Sequence, residues 1–170
     1  MKHSLQINTP LGTMTITASP QAVTEVRFGE GLPPGSVLCS GEEASALLRQ
    51  TARELGEYFA GHRRRFTVPL APQGTAFQKE VWQALQTIGY GETRTYQEIA
   101  RQIGHDLAYR AVGMANHRNP IAILIPCHRV IGRDGELTGY AAGLEIKAWL
   151  LNFERQTREP AQESHHMHCI

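Results

Sequence analysis

Thr95-Tyr96-Gln97-Glu98-Ile99-Ala100-Arg101-Gln102-Ile103-Gly104-His105-Asp106-Leu107-Ala108-Tyr109-Arg110-Ala111-Val112-Gly113-Met114-Ala115 reads as a helix, a tight turn and a second helix. Thr95 and Glu98 have the spacing of a capping box, so the first helix opens there. Tyr96, Ile99 and Ile103 then fall on one helical face. Gly104-His105-Asp106 breaks the period, and a second helix is expected from about Leu107 to Ala115. That second helix carries Arg110 among small residues (Ala108, Ala111, Gly113, Ala115), which allow close approach of a backbone. The outline is that of a helix-turn-helix. Packing against another helix accounts for the small residues equally well, and periodicity does not separate the two readings.

Downstream, Asn116-His117-Arg118-Asn119-Pro120 is polar and turn-forming. Ile121-Ala122-Ile123-Leu124-Ile125 is a continuous apolar run, read as a buried strand or an extended core segment. Pro126 restricts Ile125 and fixes its own φ, so the run is expected to end sharply and leave Cys127 at a turn. Arg133-Asp134-Gly135-Glu136 is a hairpin turn signal that would make a small wing. Gly139 to Gly143 is a loop. Leu144 to Phe153 is a final helix, and from about Gln156 a polar, disordered tail is expected.

Upstream, Thr75 and Gln78 form another capping box, opening a helix with Phe77, Val81, Trp82 and Leu85 on one face. Ala71 to Gly74 looks like a linker. The preceding part alternates as a hairpin around Thr9-Pro10-Leu11-Gly12, with a third strand over Val23 to Phe28. A loop at Pro33 to Ser36 follows, then a helix capped by Ser40 or Gly41 with Glu42 and Glu43 in its first turn. Phe66 to Leu70 is read as a short strand. The fold class is therefore α+β. A small N-terminal α/β domain (1–73) precedes a mainly helical, winged helix-turn-helix-like domain (74–155), with a tail at 156–170.

The chain has 170 residues, with 17 basic and 16 acidic side chains and a net charge of +1. That balance gives no overall pull towards nucleic acid. Between Arg101 and Arg133, however, five arginines (Arg101, Arg110, Arg118, Arg129, Arg133) face one acid, Asp106, for a local +4. Such a patch suits phosphate. There is no Cys-x-x-Cys, so neither a disulfide scaffold nor structural zinc is suggested. The apolar runs are too short to span a bilayer, and the first residues lack a signal-peptide core. A cytoplasmic, single-chain protein is expected. The tail stretch His165-His166-x-His168-Cys169 is read as solvated rather than metal-binding, so no metal site and no cofactor are called for.

Cys127 beside His128 at the end of an apolar segment is the most informative chemistry. A thiolate is the nucleophile, and a neighbouring base raises its population. A buried, inert cysteine is the competing reading. Ile123-Leu124-Ile125-Pro126-Cys127-His128-Arg129-Val130-Ile131-Gly132 resembles the active-site signature of the O6-alkylguanine-DNA alkyltransferases (methylated-DNA–protein-cysteine methyltransferases). Gly74-Thr75-x-Phe77-Gln78, Val81-Trp82, Gly91-Glu92-Thr93, Thr95-Tyr96, Arg110-Ala111-Val112-Gly113, Asn119-Pro120 and Gly139-Tyr140 follow the same family's order and spacing. The resemblance covers about Gly74 to Glu154.

The resemblance implies a set of roles. Cys127 takes the alkyl group from guanine O6 irreversibly, once per molecule. His128 accepts the thiol proton through a water, and Glu154 orients His128. Asn119 orders the turn around the site, and Tyr96 donates to the departing base. Tyr140, Gly139, Ala141, Met114 and the backbone of Val130 wall the base pocket. Ala141 stands where many members have a serine, leaving only its backbone N–H for O6. Arg110 fills the gap left by the flipped nucleotide, with Tyr109, Ala111, Gly113 and Thr95 along the DNA and Arg118, Arg101 and Arg133 on phosphates. The implied partner is double-stranded DNA carrying O6-alkylguanine, with O4-alkylthymine a further candidate. No membrane and no obligate protein partner are implied, and the protein is expected to act as a monomer, with clustering along DNA left open. Three rivals remain at this level: an inert alkyl-base-binding relative, a helix-turn-helix regulator with a sensor cysteine, and a cysteine hydrolase.

Overall fold

The structure is a computed structural model that describes the backbone of residues 1–168 and the side chains of residues 1–158. The architecture is α+β. By contacts the chain forms two compact units, Met1–Lys79 with Asn119–Ile125, and Glu80–Arg118 with Pro126–Ile170. The segment Asn119–Ile125 thus returns to the first unit, which a division read along the sequence does not reveal.

The first unit is built on a four-stranded sheet of order β3-β2-β1-β4. Strand β1 (Lys2–Thr9) and β2 (Gly12–Ala18) form the expected hairpin, with Leu5 opposite Ile16 and Thr9 opposite Gly12. Gly12 sits at φ 95°, which the tight turn requires and a side chain would resist. Strand β3 (Val23–Phe28) pairs antiparallel with β2. Met14 and Ile16 of β2 are fully buried, as are Leu48, Leu55 and Tyr58 of helix α1 (Ala46–Phe59), which packs on the sheet. The polar residues Thr15 and Thr17 of β2 are also buried and hydrogen-bonded, Thr17 to Ser4 at 2.7 Å and Thr15 to the Gly29 carbonyl at 2.8 Å. The free edge of β3 is occupied by two returning segments. Val23 N–H donates to the Pro69 carbonyl, and Ala122 N–H donates to the Val26 carbonyl.

Four expectations for this unit change. A fourth strand, β4 (Ser36–Leu38), runs parallel to β1 just after the loop. Helix α1 is capped by Ser45, not by Ser40 or Gly41. Ser40 and Glu43 instead bond each other reciprocally and close a turn ahead of the helix. Phe66 to Leu70 is not a strand; only Leu70 bridges to Val23, while Thr67 spends its N–H and hydroxyl on the buried Glu54 carboxylate. Ile121 to Ile125 is not a strand either. It carries a turn at Ile123, at φ 70°, with the Leu124 N–H donating to the Ala122 carbonyl at 2.8 Å.

Helix α2 (Ala76–Leu85), opened by the Thr75–Gln78 box, crosses from the first unit's residues into the second's. In the second unit, strand β5 (Arg94–Thr95) leads into helix α3 (Tyr96–Gln102), capped by the expected Thr95–Glu98 box. Gly104, at φ 82°, ends α3 in a left-handed turn. Helix α4 (Tyr109–His117) completes the helix-turn-helix, starting two residues later than expected. Its inner face is buried through Val112, Ala115 and Asn116. The Trp82 indole of α2 donates to the Ala115 carbonyl at 2.8 Å and anchors the C-terminal half of α4. Strand β6 (Val130–Ile131) pairs parallel with β5, so the turn at Arg133 to Glu136 closes without the second hairpin strand expected of a wing. Helix α5 (Leu144–His168) continues well past Phe153. Thr157 and Arg158 dock against Tyr90 and Gly91 rather than beginning a disordered tail. The remainder of the expected tail, including the His165–Cys169 stretch, lies outside the residues whose side chains are described. No helix of the described residues is long and apolar enough to cross a membrane.

Trp82→Phe keeps the apolar bulk but removes the indole donor to the Ala115 carbonyl, which then keeps only the longer Arg118 N–H contact at 3.2 Å. It is expected to lower the free energy of unfolding by about 1–3 kcal/mol, read as a lower urea midpoint at unchanged slope. An unchanged midpoint would remove the anchoring role.

Candidate active site

Asn119, in the first unit, closes a loop over its own neighbours. Its side-chain oxygen accepts from Ile121 N–H at 3.0 Å, and its amide donates to the carbonyls of Ile125 at 2.8 Å and Ile121 at 3.3 Å. Asn119 therefore closes the loop that holds Ile123 in its left-handed conformation. A β-branched residue there costs on the order of 1–3 kcal/mol and persists only when its surroundings impose it. Ile123 is the one non-glycine at positive φ among the described residues.

Beyond Pro126, residues Cys127–Arg129 form one turn of 3-10 helix. The sharp end expected from Pro126 is thus realised as this turn. Cys127 keeps 5% of its surface exposed. Its carbonyl accepts from Asn116 Nδ2 at 3.3 Å, a buried contact that sequence reading missed. The Tyr140 phenol lies against the Cys127 sulfur. Burial first, then the charge and hydrogen bond of Cys127, push that phenol well above the ordinary tyrosine range.

His128 is fully buried, and its Nε2 lies 2.7 Å from Glu154 Oε2. Glu154 also accepts from Arg129 Nε at 2.8 Å, Arg129 Nη2 at 3.0 Å and Gly91 N–H at 3.3 Å. Burial alone would raise the Glu154 carboxyl, but the His128 and Arg129 side chains hold it well below the usual carboxylate range. An ionised carboxylate only accepts, so Nε2 must carry the proton. Burial also lowers the His128 imidazole, against the pull of Glu154, so the ring is neutral. The remaining ring nitrogen, Nδ1, is then a bare acceptor, and it has no hydrogen-bond partner within the protein. A neutral imidazole with its acceptor nitrogen open, next to a thiol, is equipped to remove a proton.

Arg129 was counted from sequence as part of a phosphate-binding patch. The structure corrects this: Arg129 is 6% exposed, clamped to Glu154 and to the Ile88 carbonyl at 2.7 Å. Its burial is invisible to a charge count, although its place in the Pro-Cys-His-Arg run was a signal. Lys147 on α5 was not singled out at all. It is fully buried and donates to the Thr138 carbonyl at 2.8 Å. Burial lowers its ammonium to about 8, with the Cys127 sulfur opposing the drop.

The other expected residues divide by location. Tyr96 begins α3, and its hydroxyl meets Thr138. Val130 is buried on β6, while Gly139 and Ala141 are exposed in the loop before α5. Tyr109, Arg110, Ala111 and Met114 are exposed on α4, with the Arg110 guanidinium over the Tyr109 ring, and Arg118 is exposed just after it. The hydroxyl of Thr95 is spent on capping α3. Among the described residues, no cluster of His, Cys, Asp and Glu is placed to hold a metal.

Two family descriptions match the chain. The ribonuclease-like domain of 6-O-methylguanine DNA methyltransferase matches residues 2–72, and its DNA binding domain matches residues 76–156. The methylated-DNA--protein-cysteine methyltransferase of Methanosarcina acetivorans is 52% identical over 145 residues, covering 85% of this chain and 93% of its own length. The constitutive protein of the same name from Bacillus subtilis is 43% identical over 159 residues, covering 91% and 96%. The crystal structure of Mycobacterium tuberculosis OGT in complex with DNA aligns at a TM-score of 0.83 and 42% identity, covering 91% of this chain and 94% of that one.

The buried pair sets a pH dependence of stability. Free in the unfolded chain, His128 takes up a proton near its ordinary value of 6.5, but folded it resists. Glu154 behaves likewise around its ordinary 4.5. Below each ordinary value the unfolded state binds more protons, so stability is greatest above 6.5 and is lost on acidification. Unfolding free energies measured between about pH 8 and about pH 4 are expected to fall in that direction; a rise on acidification would contradict the assignment.

Proposed function

The chain belongs to the 6-O-methylguanine DNA methyltransferase family, and from that premise we propose that it repairs alkylated DNA directly, moving the alkyl group from guanine O6 in duplex DNA onto its own Cys127. The observation that carries this reading is a nearly buried thiol beside a neutral imidazole whose proton is pinned to Glu154 and whose other nitrogen is open.

The steps balance within the protein and the lesion. His128 Nδ1 accepts the Cys127 proton through a water. The thiolate attacks the alkyl carbon, a C–S bond forms and the C–O6 bond breaks, leaving its electron pair on guanine. Tyr96 donates to the base so that guanine leaves neutral, which makes it the better leaving group. The imidazolium formed on His128 faces Glu154, whose charge offsets it. A thioether has no easy route back, so one molecule acts once. No cofactor enters the balance. Asn119 keeps the turn ahead of Cys127 closed, and Tyr140 with Gly139, Ala141, Met114 and the Val130 backbone walls the base.

The target atom sits inside a base stack, so the nucleotide must be flipped out at a cost of roughly a few kcal/mol. Arg110, exposed on α4, takes the vacated place and offsets part of that cost. Tyr109, Ala111, Gly113 and Thr95 line the minor-groove approach, and Arg118 meets phosphate. Residues 1–73 and 74–155 are read as the two domains, supported by family matches over 2–72 and 76–156. The partner is double-stranded DNA, met by a monomer, and a cytoplasmic location fits this reading.

Intact-mass spectrometry after mixing with a duplex carrying one O6-methylguanine is expected to show one added methyl per protein, mapped to Cys127 and absent in Cys127→Ser. Repeated turnover, or a methyl on Cys39, would overturn the reading. Arg110→Ala is expected to slow repair within a duplex by about tenfold or more while changing reaction with free O6-methylguanine little. Equal losses on both substrates would remove the wedge role.

A further inference from the structure

Tyr96 is not free-standing in the second unit. Its hydroxyl makes two contacts, both with one residue, Thr138. The Thr138 hydroxyl donates to the Tyr96 oxygen at 3.1 Å, and the Tyr96 hydroxyl reaches the Thr138 carbonyl at 3.4 Å. That same carbonyl is the acceptor of the buried Lys147 ammonium, at 2.8 Å. The two claims on the carbonyl are unequal. The ammonium is charged and close, whereas the phenol is neutral and near the outer limit of a hydrogen bond.

We infer that Thr138 is a positioning residue that makes Tyr96 a ready proton donor, its hydroxyl supporting the phenol oxygen while its carbonyl, engaged by Lys147, holds the phenol proton only weakly. This rests on the donor reading of Tyr96 given above. A hydroxyl that accepts a hydrogen bond becomes a better donor. As Tyr96 releases its proton towards the departing guanine, negative charge grows on the phenol oxygen. The Thr138 O–H is already aimed at that oxygen and needs no reorganisation to stabilise the charge. Meanwhile the 3.4 Å contact to the carbonyl is the one given up when the base arrives, so redirecting the proton costs little. The Thr138 proton stays on its own oxygen throughout, and Thr138 touches neither the alkyl carbon nor the sulfur in this scheme.

The test is a double-mutant cycle on single-turnover methyl transfer from an O6-methylguanine duplex, using Thr138→Val, which keeps the shape and removes the hydroxyl, and Tyr96→Phe. Thr138→Val is expected to slow transfer by about fivefold to tenfold at unchanged duplex affinity and unchanged thermal midpoint. Thr138→Ser, which keeps the hydroxyl, is expected to restore the rate. In a Tyr96→Phe background, Thr138→Val should cause no further loss. If Thr138→Val slows both backgrounds equally, or if Thr138→Ser is as slow as Thr138→Val, the positioning role is overturned while the donor reading stands. If Tyr96→Phe itself leaves the rate unchanged, the donor reading fails, and the inference with it.

Discussion

Glu154 places a carboxylate where almost no water reaches it, and everything around it is arranged to meet that charge. A buried carboxylate without partners would sooner take up a proton than remain ionised. Here the imidazole of His128, two nitrogens of Arg129 and the Gly91 N–H all donate to it. Those donors come from two separate pieces of chain, the turn at Cys127–Arg129 and the turn around Gly91, and meet the carboxylate carried by helix α5. Buried ion pairs add little net stability, because desolvation offsets the attraction, but removing one partner is costly. The value of the arrangement lies in geometry. It dictates which nitrogen of His128 carries the proton, and so which one is left without it.

The same network explains why the second unit holds together around so few regular elements. Arg129 reaches from Glu154 to the Ile88 carbonyl and lies over the Tyr90 ring, and Tyr90 in turn bonds Thr157 of α5. Arg158 adds a contact to the Gly91 carbonyl. The turn before β5 and α3 is therefore tied to the helix that carries Glu154. The start of the helix-turn-helix and the support for the Cys127–Arg129 turn share one scaffold. Sites held to sub-ångström tolerance need such backing from packed neighbours.

Some of this was legible in the residues. The Thr95–Glu98 and Thr75–Gln78 boxes carry their own mechanism and stand in the structure as read. Pro126 ended the apolar run where its ring demands, and Gly104 stopped α3. Other parts were hidden for physical reasons. Ile121 to Ile125 has no period, so strand and turn look alike until Asn119 clamps the loop. Ser40 and Ser45 are both good caps, and only the packing of α1 chooses Ser45. Arg129 and Lys147 look like solvated charges because composition is blind to burial. The length of α5 depends on Thr157 and Arg158 docking on residues 67 positions earlier, which no local pattern announces. Glu154 stood out by resemblance, and its donors give that resemblance a physical basis.

The central claim is that burial keeps His128 neutral while Glu154 fixes its proton on Nε2 and leaves Nδ1 open. Nitrogen-15 NMR of the imidazole in the full protein at neutral pH tests it directly. The account requires an Nε2–H signal paired with an unprotonated Nδ1. A ring protonated on Nδ1, or on both nitrogens, would contradict it, since neither could receive the proton from Cys127.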